Sequence, residues 1–70
     1  MLKSDIIKIL SYIEDDEEIL INENRYCGGG DEYYETDFSI VEYPNGSIVL
    51  VPAPDTNIMS DGVKLNPADF

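Results

Sequence analysis

Asp37-Phe38-Ser39-Ile40-Val41-Glu42-Tyr43-Pro44-Asn45-Gly46-Ser47-Ile48-Val49-Leu50-Val51-Pro52 is the stretch on which the fold turns. Two runs rich in β-branched and aromatic residues flank Asn45-Gly46, a dipeptide that tolerates the positive φ of a tight hairpin. The pattern predicts two paired antiparallel strands. A two-residue loop would set Tyr43 opposite Ile48, Val41 opposite Leu50 and Ser39 opposite Pro52 on one face. Phe38, Ile40, Glu42, Val49 and Val51 would then share the other. Both faces are substantially apolar. A single short helix covers only one of them, so the other needs the tail, a second copy or a partner.

Upstream, Leu2, Ile6, Ile9, Leu10 and Ile13 recur at three- and four-residue intervals, which predicts a helix over residues 4–13 with Ile7 at the edge of its apolar stripe. Ser4 is the expected N-cap, and Asp5 suits the positive end of the helix dipole. Glu14-Asp15-Asp16-Glu17-Glu18 then places five adjacent carboxylates at the negative end of that dipole. They should stop the helix. A competing reading carries it on to Leu20. The run itself reads as a solvated turn rather than a metal site. Ile19-Leu20-Ile21, bounded by Asn22-Glu23-Asn24, suits a first strand entering a turn. It would make three strands with the hairpin, enough for a stable sheet when a helix covers one face. Arg25 to Glu32, with Gly28-Gly29-Gly30 inside it, reads as a mobile loop.

Downstream of Pro52-Ala53-Pro54, Ile58-Met59 and Val63-Lys64-Leu65 flank Ser60-Asp61-Gly62. A second small hairpin and an ordered strap over the sheet both fit. Pro67 to Phe70 should fray. The expected fold is therefore α+β: one N-terminal helix packed on a small antiparallel sheet in an αβββ-like order, with an extended C-terminal tail or a second short hairpin. Residues 1–70 make a single domain, and 53–70 are its weakly structured part.

At 70 residues, the domain leaves roughly 40% of its unfolded surface exposed, so its core offsets chain entropy narrowly. An apolar fraction of 43% with five tyrosines and two phenylalanines still suffices for a compact fold. Fifteen acidic against four basic residues give a net charge of -11. That field repels nucleic-acid phosphates and anionic lipid and steers the chain toward basic protein surfaces. Its blander role is solubility. One cysteine forms no internal disulfide, and no leader-like progression opens the chain, so reducing cytoplasm is the expected setting. No apolar run approaches the roughly 20 residues of a membrane span.

Histidine is absent, and Cys27 has only Arg25 as a cationic neighbour in sequence, too little to sustain a thiolate nucleophile. Any site stabilising developing negative charge would have to draw on four cations in the whole chain, which speaks against an enzyme. Gly28-Gly29-Gly30 lacks the Lys-Ser/Thr of a phosphate loop. Neither Asp15-Asp16-Glu17 nor Asp31 to Asp37 matches the spacing of a calcium loop. Asn45-Gly46-Ser47 fits a glycosylation sequon, but the hairpin turn accounts for it more simply. No catalytic residue, metal ligand or cofactor is expected.

Tyrosines and acids do form a constellation. Tyr26, Asp31, Glu32, Tyr33, Tyr34, Glu35, Asp37, Glu42 and Tyr43 gather along one loop and strand, and tyrosine supplies rigid contact area with a polar tip. These nine are the candidate partner-binding residues. On a strand, Glu35 and Asp37 would lie on one face about 6.6 Å apart, a row of negative charge suited to a groove built for a nucleic-acid backbone.

Lys3-Ser4-Asp5-Ile6-Ile7-Lys8-Ile9-Leu10, then Asp15 to Ile21, then Ile48 to Pro52 resemble small phage and prophage proteins of mostly unassigned function. The likeness is one of apolar spacing over about two thirds of the chain; the Cys27 to Gly30 loop and the tail after Pro52 fall outside it. It implies a phage origin and a host-directed inhibitor, including the acidic nucleic-acid mimics that block restriction, repair or CRISPR enzymes. The expectation is a non-catalytic acidic module that occupies a basic, nucleic-acid-binding surface of a host enzyme in the host cytoplasm. Direct nucleic-acid and membrane contact are not expected. The alternative is a structural or homo-oligomerising accessory protein that uses an exposed apolar sheet face.

Overall fold

A computed structural model describes residues 1–22 and 35–70. The expected turn at Asn22-Glu23-Asn24, the glycine loop with Cys27, and the candidate residues Tyr26, Asp31, Glu32, Tyr33 and Tyr34 lie wholly or mainly outside the described residues. The architecture is α+β: helix α1 (Lys3–Tyr12) packs on a four-stranded mixed sheet of β1 (Ile19–Ile21), β2 (Phe38–Glu42), β3 (Ile48–Pro52) and β4 (Val63–Lys64). The strand order is β1-β3-β2-β4. β2 pairs antiparallel with β3 and β4, while β1 pairs parallel with β3, so the sheet is not wholly antiparallel. No described helix is long and apolar enough to cross a membrane.

The helix begins one residue early, and its N-cap is Leu2, which makes no side-chain cap, rather than Ser4. The reason lies at Met1, whose side chain packs against the core and whose ammonium reaches Asp37 at 2.6 Å. The chain thus enters the helix through an extended Leu2. Of the apolar stripe only Ile9 is fully buried; Leu2 and Leu10 stay exposed, as does Ile7. The helix ends at Tyr12, ahead of the carboxylate run, and does not continue to Leu20.

The hairpin forms, but in a register one residue away from that of a two-residue loop. Glu42 faces Ile48, Val41 faces Val49 and Ile40 faces Leu50. Proline decides it. A two-residue loop would make Pro44 the partner of Ser47, and Pro44 has no N–H to donate. Tyr43 takes that place and donates to the Ser47 carbonyl at 3.0 Å. Pro44 moves to the second position of a turn closed by the Gly46 N–H on the Tyr43 carbonyl at 2.8 Å. Gly46 follows at φ +89°, the left-handed residue of a three-residue hairpin loop.

The shift moves every β3 side chain to the opposite face. Ile40, Ile48 and Leu65 now pack with Ile9 under the helix, flanked by Met1, Ile13, Phe38 and Leu50. Ser39, Val41 and Val51 are buried on the other face. There the chain itself supplies most of the cover. Asn57 donates to the Pro52 carbonyl at 2.9 Å and Asp55 accepts from the Ser39 hydroxyl at 3.2 Å, which ties the 3-10 turn Asp55–Asn57 to the sheet.

The tail is neither extended nor a second hairpin. Ser60-Asp61-Gly62 does turn, with the Gly62 N–H on the Met59 carbonyl at 2.9 Å. Val63–Lys64 then pairs with the open edge of β2 instead of with Ile58-Met59. Leu65 crosses under the helix, and Pro67–Asp69 forms a 3-10 turn capped by Asn66, whose side-chain oxygen accepts from Ala68 N–H at 3.0 Å. The last residue is not frayed: the Phe70 ring stacks at a tilt on Tyr12, centroids 4.9 Å apart. Residues 53–70 thus wrap the β2–β4 edge from one face of the sheet to the other.

Candidate acidic interaction surface

The carboxylate run and the hairpin meet because of how the chain leaves the helix. Ile13 is extended and half-buried against the core. Glu14 and Glu17 then close a turn, Glu17 N–H to Glu14 carbonyl at 3.1 Å, before Ile19 pairs with Ile48. This path brings the run to the end of the sheet where β2 finishes at Glu42. Tyr12, Ile13, Glu14, Glu17, Glu42, Gly46 and Ile48 line a recess of about 260 Å³. None of the described lysines lines it. The Tyr12 hydroxyl stands 3.4 Å from each Glu42 carboxylate oxygen. At 3.4 Å those contacts are long and weak, so Glu42 keeps its capacity to accept from an incoming donor.

The opposite end of the molecule is acidic too, but there opposite charges answer one another. A cleft of about 450 Å³ includes Met1, Asp5, Asp37, Ser39, Asp55 and Lys64 among its lining residues. The Met1 ammonium pairs with Asp37, and Lys64 with Asp55 at 3.2 Å. The hydrogen bond from that ammonium, then one from the Phe38 N–H, holds the Asp37 carboxyl below its ordinary value of 3.8. Among the described residues, no group of three or more histidines, cysteines or acids is placed to hold a metal ion.

The described candidates do not share one face. Glu35 is exposed and precedes the ladder, which starts at Phe38, so Glu35 and Asp37 form no row along a strand. Asp37 joins the sheet only through its carbonyl, which accepts from Ala53 N–H at 2.9 Å. Glu42 lies on the helix face. Tyr43 lies on the other, against the tail, where its hydroxyl accepts from Met59 N–H at 3.3 Å. Tyrosine 43 is therefore a packing residue as well as a partly exposed one. What the sequence reading set aside is the convergence of Glu14 and Glu17 with Glu42, and the place of Tyr12 beside them. The adjacency of the five acids was its one visible signal.

Beside this end runs β1, with Ile19, Leu20 and Ile21 at 40%, 43% and 71% exposure. Leu20 borders a shallow recess of about 480 Å³ that Tyr43, Val49 and Met59 also line. The surface thus joins a patch of negative charge to an apolar edge. Comparison with protein-family models, with curated proteins and with solved structures found no match.

Proposed function

We propose that the chain is a non-catalytic acidic module that occupies a basic, nucleic-acid-binding surface of another protein, as a phage-type inhibitor of a host enzyme would. The observation that carries this reading is the convergence of Glu14 and Glu17 with Glu42 around one recess, with Asp15 and Asp16 inside the same turn and Glu18 directly after it. Three acids line that recess and none of the described lysines does, so a cationic partner would meet negative charge that no described lysine answers there. Exposed leucine and isoleucine beside the charge would hold a complex that the charge steers together.

The test is capture of partners from a bacterial lysate, followed by competition. The expected partner binds nucleic acid through a basic groove, is displaced by DNA or RNA, and loses affinity steeply with salt. A tight partner that holds this protein and nucleic acid at once, with salt-independent affinity, overturns the mimicry and leaves a plain interaction module.

Homotypic assembly is a second reading, and the exposed β1 residues favour it. The tail already covers Val41 and Val51 on the second sheet face, while Ile19, Leu20 and Ile21 stay exposed on β1. Sedimentation at high micromolar concentration decides it.

A further inference from the structure

We propose that the outer edge of β1 takes up an extended, basic segment of the partner as an added strand. The proposal rests on the acidic-module reading above and names how that surface is engaged. Asn22 donates its N–H to the Leu50 carbonyl at 2.9 Å. Backbone groups alternate in direction along a strand, so Leu20 also faces β3, while the N–H and C=O of Ile19 and Ile21 point away from the sheet. Among the described residues no strand pairs on that side. An edge of this kind is a template for strand addition.

The side chains around it suit an alternating segment. Leu20 and Val49 share the face that carries the recess with Tyr43 and Met59. Ile19 and Ile21 stand on the helix face, next to Ile48 and Leu50. Apolar residues of an added strand would therefore find contact on either side.

Charge decides the occupant. β1 itself carries no charge, proline or bulge, the usual guards of an open edge. The guard is the run Glu14 to Glu18 that leads into it. Two copies paired edge to edge would set one chain of net charge -11 against another. A lysine- or arginine-bearing segment instead meets attraction at the same place.

The test uses the whole chain and two synthetic probes: an eight-residue peptide of alternating lysine and valine, and the same peptide N-methylated at every backbone nitrogen. Charge and side chains are equal, but only the first can donate backbone hydrogen bonds. The expected result is about tenfold tighter binding of the unmethylated peptide at low salt, with new hydrogen-exchange protection at the Ile19 and Ile21 amides. Equal affinity of the two, with shifts confined to residues 14–18, overturns strand addition while the acidic module stands. No binding of either overturns both. Protection of Ile19 and Ile21 in the free monomer overturns the proposal in favour of cover by the chain itself. Protection that appears with concentration-dependent dimerisation overturns it in favour of a second copy.

Discussion

Gly62 lies against Val41 so closely that a Cβ added to the glycine would stand 2.7 Å from the valine Cγ1. The same atom would meet Ile58 Cγ2 and Tyr43 Cε1, each at 2.9 Å. Val41 is completely buried, so the tail crosses the sheet at the one point where a missing side chain lets it. Gly62→Ala should therefore lift the tail and destabilise the fold by about 1–3 kcal/mol, the usual cost of overpacking. The shift of the urea midpoint measures it.

Gly46 fails for a different reason. Nothing lies within 4 Å of its added Cβ, but its φ is +89°. Gly46→Ala should cost about 1–2 kcal/mol through backbone strain alone. Gly46→Asn, which tolerates the left-handed region, should cost less; the order of the two urea midpoints checks this.

Asp37 makes the acid side of the stability curve testable. Its carboxyl is held low in the folded chain by the Met1 ammonium and the Phe38 N–H. A depressed folded value means the unfolded chain takes up the proton first. The contribution is present above the ordinary value of 3.8 and is lost as pH falls through the folded one. Asp37→Asn should remove this part of the acid-side slope, and because the pair is exposed, salt should shrink the difference. Melting temperature followed from pH 5 downward, about the region where carboxylates titrate, gives the comparison.

Glu14, Glu17 and Glu42 replaced together by glutamine should leave stability within about 0.5 kcal/mol or raise it slightly, since repulsion is removed from an exposed turn. Association with a captured basic partner should slow about tenfold or more at low salt, with dissociation little changed. Rates measured across a salt series separate the two. A fall in stability instead of in association rate would make the recess structural.

Phe70→Ala removes the ring that stacks on Tyr12 at 4.9 Å. The loss should be about 1 kcal/mol, read by urea unfolding.

The helix, its stop at the acids, the short strand at Ile19 and the hairpin were legible because each rests on local signals: period, charge and turn residues. The register was within reach too, had the missing N–H of Pro44 been weighed against the Asn45-Gly46 signal. β4 was not, since Val63–Lys64 is too short to show a period and owes its pairing to the space over Val41 that Gly62 opens. Parallel pairing of β1 carries no local mark at all. The candidate surface was half legible for the same reason: acids adjacent in the chain can be seen in sequence, but their meeting with Glu42 depends on the β1–β3 pair.

That pair also sets an order of events. Glu42 and Ile48 face each other across a single turn, whereas Ile19 waits for Ile48, about thirty residues later. The hairpin therefore closes first and serves as the template onto which β1 zips. During synthesis β1 is made early and pairs late. For that interval three consecutive apolar residues emerge with no strand to join, and the five carboxylates ahead of them act as gatekeepers that keep nascent chains apart.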